Sequence, residues 1–400
     1  MKQKNTSYDY RIPTLLLRFL GVCVYGDPEA YYVGLNETEH AELDVQGRNF
    51  GMTAWFYRYL CNVLPEEKRQ AYQKIYQTRQ VKALLGFREL KRLYGVLASH
   101  SLRFVPIKGA DLAYRLYPDA ALRVFCDWDI WFHPDDCERA LTVLAEDGWE
   151  VPELRKTSSQ SGTENDNYHH FQPYVRGGYV LEPHFTLSKF RNIDPLKMWE
   201  YTCCCTTDDG QHVLTPEMNL LMLARHASSQ SFLHAQIPKM LTDVAMVLQN
   251  EKVDFTVLQR MSDRWNLPYP GDLFAAFPEF FPLDVVSSFM ANSMAVANIR
   301  NLFVLRANLG KEISVALALK KCEDQGKVSK GILTHILAHT PNRIRILYHL
   351  PEQGAWIRVF WGYVCWFGTR TWRARIWIRK NPVFLEYLHH LKDAESVQKS

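Results

Sequence analysis

Two acids separated by one residue are the first place in this chain where chemistry could sit. In Cys126-Asp127-Trp128-Asp129-Ile130 the neighbours are mostly apolar or aromatic, the texture of a strand backed by core. Side chains alternate across a strand, so Asp127 and Asp129 share one face while Trp128 and Ile130 share the other. Like charges side by side are costly unless a cation neutralises them. Oxygen donors of this kind suit Mg2+ or Mn2+. An Asp-x-Asp pair alone is a weak signal, because such pairs also occur on exposed sheet edges; the apolar flanks strengthen it here.

A third carboxylate stands in Val180-Leu181-Glu182-Pro183-His184-Phe185-Thr186-Leu187. Alternation puts Glu182, His184 and Thr186 on one side and Leu181, Pro183, Phe185 and Leu187 on the apolar side. On a strand next to the acid pair, Glu182 would complete a three-carboxylate metal site; a solvated sheet face is the plainer alternative. His184 would orient that carboxylate, donate to a phosphate, or pack as an ordinary hydrogen-bonding histidine. Upstream, Ile107-Lys108-Gly109-Ala110 joins a strand to a helix. A glycine there lets a phosphate approach backbone amides at the helix start. Lys108 and Arg123 are candidates either for triphosphate contacts or for salt bridges to the acids. His169 and His170, adjacent on a strand, point to opposite faces and do not share a zinc.

The elements that must position these residues follow from the spacing. Pro65, Glu66 and Glu67 suit a helix start, and Leu84, Leu85, Leu90, Leu93 and Leu97 recur at helical spacing, predicting a long helix that ends near His100. Next come a strand over Arg103 to Ile107, a helix from about Ala110 to Tyr117 stopped by Pro118, and a strand over Val124 to Phe132. A helix over Pro134 to Asp147, closed by Gly148, completes the run. Thr157 to Asn167 has loop composition, and Gly177-Gly178 joins Tyr168–Arg176 to Tyr179–Leu187 as a hairpin. Beyond Thr215 the chain reads as helices joined by loops containing proline. The expected class is α+β: a small mixed sheet with flanking helices in a core at 101–200, between helical parts at 1–100 and 201–400.

The phrase from Val105 to Trp149, VPIKGADLAYRLYPDAALRVFCDWDIWFHPDDCERALTVLAEDGW, resembles the uncharacterised bacterial nucleotidyltransferase family of the DNA polymerase β superfold. The shared pattern is a Lys-Gly, a Leu-Tyr-Pro-Asp, an Arg, an Asp-x-Asp and a helix closing on Gly and an aromatic. LEPHFTL resembles that family's Glu-x-His strand. LTPEMNLLMLARHASSQ and the later Leu241-Thr242-Asp243 resemble its helical segment, in which His226 and Asp243 are structural or face the acceptor. The likeness runs from about Leu15 to Leu267. It departs at Ala110, where a second Gly or Ser is usual, and at Trp128, where an aliphatic is usual. The resemblance implies transfer of a nucleoside monophosphate from a nucleoside triphosphate to an acceptor. It implies Asp127, Asp129 and Glu182 as catalytic metal ligands for Mg2+ or Mn2+. It also implies Lys108, Gly109, Ala110, Arg123 and His184 as nucleotide contacts.

Composition sets the outer bounds. The chain has 400 residues, 47% hydrophobic and 22% charged, which excludes disordered, collagen-like and coiled-coil readings. Its net charge of +4 is too mild to announce a nucleic-acid protein, and it conceals two opposed regions. From Ser101 to Asn250, 13 Lys and Arg stand against 20 Asp and Glu, a net of −7; from Gly331 to Lys380, 8 stand against one, a net of +7. The acidic region would repel a nucleotide unless a metal ion came with it. The basic region interleaves Trp356, Trp361, Trp366, Trp372 and Trp377 with Arg358, Arg370, Arg373, Arg375 and Arg379. That pattern fits either an inward-packed helical lobe or contact with an anionic membrane or RNA. The best apolar stretch, Leu15 to Val24, is short and split by Arg18, so neither a membrane-spanning segment nor a signal peptide is expected. Nine scattered cysteines, including Cys203-Cys204-Cys205, read as free thiols of a cytoplasmic protein. No strongly basic groove adjoins the acids, so a small-molecule acceptor is expected, with nucleic acid or protein acceptors as alternatives. The rival to catalysis is a nucleotide-binding or scaffold protein with a degenerate site.

Overall fold

A computed structural model describes residues 13–152, 171–187, 193–204, 211–229, 237–267, 269–289 and single positions as far as 299, all within the unit Arg11–Val304. The Thr157–Asn167 loop, His169, His170 and the Trp- and Arg-rich region from Trp356 to Arg379 lie outside the described residues.

Four helices come first: α1 (Thr14–Tyr25), α2 (Pro28–Val33), α3 (Glu37–Asn49) and α4 (Thr53–Leu60). Local chemistry explains their starts. The Asp27 carboxylate accepts from the Ala30 amide, and Asn36 and Glu39 exchange side-chain to backbone hydrogen bonds of 3.0 Å at the start of α3. Gly21 in α1 has no room for a side chain, because a Cβ there would lie 2.2 Å from the Phe280 carbonyl oxygen. Helix α5 (Glu66–Ser99) then runs 34 residues to His100, where the sequence places its end.

The buried stripe of α5 is narrower than the run of leucines suggests. Leu90, Leu93 and Leu97 are fully buried, whereas Leu84 and Leu85 are 69% and 51% exposed. Each residue advances about 100° around a helix, which sets Gly86 in line with Leu90, Leu93 and Leu97 and turns Leu84 and Leu85 away. Gly86 is where the partner element arrives, with Tyr114 and Trp128 against its backbone.

That partner is a four-stranded mixed sheet, β1 (Phe104–Ile107), β2 (Trp128–Phe132), β3 (Tyr174–Arg176) and β4 (Tyr179–His184), in the order β1-β2-β4-β3. β2 is antiparallel to β1 and parallel to β4, and β3 returns antiparallel through Gly177 and Gly178, both with positive φ as the hairpin turn requires. Helix α6 (Gly109–Arg115) follows β1 and α7 (Cys137–Glu146) follows β2. The sheet separates two cores. Phe104, Trp128, Ile130, Phe132 and Leu181 pack with Leu90, Leu93, Ala140 and Leu144, while Val105, Ile107, Trp131 and Leu187 join the larger helical core on the other face. Alternation therefore holds in β1, β2 and β4, but it lapses beyond the end of β4 at His184: Leu187, expected on the face of Leu181, joins the opposite core.

β2 begins at Trp128 rather than Val124, because Arg123 turns away to a distant partner described below and Phe125 packs over Gly109. After the sheet come α8 (Pro195–Trp199) and a two-stranded ribbon, β5 (Thr202–Cys204) with β6 (His212–Leu214). This ribbon, which uses part of the cysteine run, has no counterpart in the sequence reading. Helices α9 (Pro216–Ser229), α10 (Ile237–Asn250), α11 (Phe255–Arg264), α12 (Pro270–Ala275) and α13 (Leu283–Ser288) follow. None of the described helices is long and apolar enough to cross a membrane.

Asp136 fastens the edge of the sheet. Its carboxylate accepts from the Arg103 backbone amide at 3.1 Å, Arg103 Nε at 2.7 Å and Arg139 at 3.1 Å. Burial pushes this carboxyl up, but the hydrogen bonds from Arg103 outweigh burial and hold it below the ordinary range. A depressed folded value means that stability is present above the unfolded value near 3.9 and is lost as pH falls through the folded one. Asp136→Asn should lower the urea midpoint at pH 7, and the gap from the parent protein should close as pH drops below about 4. An equal gap from neutral to acid pH would show that the charge of Asp136 is not what fastens the edge.

Candidate active site

The site forms on the sheet face that carries Ile107 and Trp131. Strand register decides who meets whom: Ile107 lies opposite Asp129 across the β1–β2 pair, and Asp129 and Trp131 lie beside Glu182 and His184 across the β2–β4 pair. Parallel pairing thus brings a carboxylate from each strand to one spot. Ligand atoms of Asp129, Glu182 and His184 all fall within 4.8 Å of one another. Two carboxylates that close repel by about 3 kcal/mol at an effective dielectric near 20, so cations or strong donors must attend them.

Asp129 has both kinds of attendant. Lys108 Nζ donates to its Oδ1 at 2.6 Å, and His184 Nε2 donates to the same oxygen at 2.8 Å. His184 is 0% exposed and fixed on β4. Burial pushes the Asp129 carboxyl up, but the Lys108 charge and the His184 hydrogen bond overcome it and hold the group well below the ordinary range. Asp129 is therefore a carboxylate throughout the neutral range.

Asp127 differs. It lies half-buried in the lead-in to β2, outside the cluster of Asp129, Glu182 and His184. Burial raises its carboxyl, the Asp129 charge raises it further, and Lys108 and Lys239 only partly oppose this. The two aspartates of one motif are thus set apart in acidity by their surroundings.

The loop beneath them is tightly constrained. Lys108 has φ +55°, a value that L side chains rarely adopt, as the chain turns from β1 into α6. Gly109 opens the helix, and a Cβ there would meet the Phe125 Cβ and Cγ at 2.6 and 2.7 Å. Only glycine fits under Phe125. Ala110 is buried against the sheet with Trp128, so both departures from the family pattern face the core rather than the acids.

Arg123 is placed differently from its expected role as a triphosphate contact. It is 5% exposed, and its Nε and Nη2 donate to Asp243 Oδ1 and Oδ2 at 2.6 and 2.8 Å, while Nη1 donates to the Val124 carbonyl at 2.9 Å. Tyr117 adds a hydroxyl hydrogen bond of 2.7 Å to Asp243 and lies 3.0 Å from Thr242 Oγ1. The guanidinium fork is filled, so Arg123 ties α10 to the strand lead-in that carries Asp127. Asp243, 2% exposed, is accordingly structural, and His226 stands half-buried near the end of α9.

Lys239 is a residue that the sequence reading missed. It sits one helical turn before Asp243 on α10, half-buried. Its ammonium is held below the ordinary lysine range by burial and then by Arg123, with Asp243 and Asp127 pulling the other way. The signal that could have found it is the four-residue spacing to Asp243, which sets both on one helix face.

Two oxygen donors, Asp129 and Glu182, with Asp127 nearby, form a set that suits a hard divalent cation, and the His184 imidazole widens the choice toward Mn2+. A family model described as an uncharacterised nucleotidyltransferase matches residues 58–273, which takes in α5, the whole sheet, and α6 through α11. No curated protein and no solved structure matches the chain significantly.

Asp243→Asn should destabilise the protein by roughly 3–5 kcal/mol in urea unfolding, because it leaves the buried Arg123 charge without its partner. The double variant Arg123→Met with Asp243→Leu should recover much of that loss. A single variant within about 0.5 kcal/mol of the parent would show that the pair does not hold α10 in place.

Proposed function

The chain belongs to the uncharacterised nucleotidyltransferase family, and from that premise we propose that it transfers a nucleoside monophosphate from a nucleoside triphosphate to an acceptor hydroxyl, that of a small molecule. The observation that carries this reading is the convergence of Asp129, Glu182 and His184 beside the Lys108–Gly109 turn. In the reaction the acceptor oxygen bonds to the α-phosphorus, the bond from that phosphorus to the bridging oxygen breaks, pyrophosphate leaves, and the acceptor proton passes to water.

Asp129 and Glu182 would hold a divalent ion, with Asp127 as a further oxygen donor. When bound, Mg2+ or Mn2+ would supply charge neutralisation at the phosphates and lower the pKa of the acceptor hydroxyl. His184 keeps the Asp129 carboxylate oriented from a buried position, the office that a buried hydrogen-bond donor serves beside a metal ligand. Lys108 and the amides that open α6 at Gly109 would receive the triphosphate. Arg123, with its fork filled by Asp243, holds the α10 segment against this site rather than touching the nucleotide.

The acidity of the segment from Ser101 to Asn250 supports the requirement for an accompanying metal ion, since a bare triphosphate would be repelled. The sequence from Ser101 to Asn250, which holds the acids, carries no strongly basic run, and this supports a small acceptor over a nucleic acid.

Magnesium-dependent binding of each of the four nucleoside triphosphates, followed by pyrophosphate release with added cell extract as acceptor source, tests the reading. Asp129→Asn and Asp127→Asn should each lower pyrophosphate release by about a hundredfold or more. Unchanged release in both would overturn the assignment. Glu182→Gln should lose turnover while nucleotide affinity stays within about threefold, because its role is on the acceptor side. Nucleotide binding by the parent with no pyrophosphate release from any triphosphate would make the protein a nucleotide-binding scaffold instead.

A further inference from the structure

A triphosphate brings several negative charges into a segment already acidic, and the turn after β1 offers it Lys108, which is also committed to Asp129. The second cation that the sequence suggested, Arg123, is spent on Asp243. The helical side supplies the replacement. Lys239 and Asp243 stand four residues apart on α10 and so share a face. Asp243 is clamped in two directions by the Arg123 fork and held a third time by Tyr117. Arg123 itself is four residues upstream of Asp127. The clamp therefore carries Lys239 toward the strand lead-in, near enough to Asp127 for each charge to act on the other. The Lys239 carbonyl accepts from Thr242 Oγ1 at 2.9 Å, which steadies this first turn of the helix. Among the described residues, no carboxylate stands within ion-pair distance of the Lys239 ammonium, so this half-buried cation has charge to offer an incoming anion.

We propose that Lys239 is the second phosphate-binding cation of the site, contacting non-bridging oxygens of the β- or γ-phosphate from the helical side while Lys108 serves from the sheet. This rests on the nucleotidyltransferase reading for the identity of the ligand. The Arg123–Asp243 pair becomes the positioning device for that contact: it binds no phosphate itself and fixes the angle at which Lys239 approaches.

The test uses the full-length chain with two probes, inorganic tripolyphosphate and ATP, each with Mg2+, and with AMP as the control ligand. Lys239→Met should weaken tripolyphosphate and ATP binding by about 10- to 100-fold, as loss of one charge-assisted contact predicts. AMP binding should change less than about twofold, and Lys239→Arg should restore triphosphate affinity to within about threefold of the parent. The thermal midpoint of Lys239→Met, measured alongside, should match the parent. Equal weakening of AMP and triphosphate binding would overturn the proposal, since it would mark Lys239 as structural. Unchanged triphosphate affinity in Lys239→Met would overturn it too, and if ATP turnover persisted the nucleotidyltransferase reading would stand without it. Selective loss of tripolyphosphate binding in a protein that turns over no nucleotide would support the cation and overturn the transferase reading. A parent protein that binds neither tripolyphosphate nor ATP would overturn both.

Discussion

The buried ion pair between Arg123 and Asp243 is the constraint on which the rest of the site depends. It joins residues 120 positions apart, one at the approach to β2 and the other on α10. Removing a guanidinium and a carboxylate from water costs several kcal/mol for each ion, so such a pair is weak ground for claiming stability. Its worth lies in direction. A bidentate fork fixes both distance and plane, and Tyr117 donates to the same Asp243 oxygen that accepts from Arg123 Nε. Apolar packing between α10 and the rest of the core would hold the helix near, but dispersion and the hydrophobic effect are non-directional. The fork sets the helix in one register, and with it the face that bears Lys239.

A second register acts inside the sheet. Parallel pairing sets Asp129 beside Glu182 and Trp131 beside His184. Because side chains alternate, a slip of one residue would send Glu182 and His184 to the opposite face, into the packing of Leu90 and Leu144. The apolar residues of both strands forbid that slip, since Leu181 would then have to face the acids. The two cores flanking the sheet therefore do more than bury surface: they decide which strand positions can bear charge. With the acids so placed, Lys108 and His184 keep Asp129 ionised, while burial and then the Asp129 charge raise the half-buried Asp127. One motif yields two carboxyls with different proton affinities.

What was legible in the sequence was what local rules govern. The α5 start and end, the Gly177-Gly178 hairpin, the strand–helix turn at Lys108 and the alternation of β4 all follow from residues within a few positions of one another. What escaped depends on partners far along the chain. The extension of β2 back to Val124 fails because Arg123 is drawn to Asp243, and nothing near Arg123 announces that partner. Leu84 and Leu85 are counted with the core leucines until the position of Gly86 shows which side Trp128 approaches. The β5–β6 ribbon is three residues on each strand, too short to show a period, and its first strand includes Cys203 and Cys204, which carry no strong strand signal. His184 could be placed on the acid face by alternation, but its bond to Asp129 required the strand register.

Lys108 shows how these constraints settle a single residue. Its φ of +55° lies where glycine is favoured, at a cost of order 1–3 kcal/mol for a side chain. The neighbouring Gly109 cannot take over, since Phe125 leaves no space for any side chain at that position. The order Lys-Gly is thus fixed by packing on one side and by charge on the other. A glycine at 108 would relax the backbone but withdraw the ammonium that sits 2.6 Å from Asp129, leaving a carboxylate pair whose mutual repulsion is about 3 kcal/mol at an effective dielectric near 20. The attraction of that ammonium to Asp129 is of the same order as the strain, which is how the turn can hold a lysine where glycine is favoured. The strained backbone of this turn is accordingly a consequence of the acids it faces, and sequence, register and charge meet in the one residue.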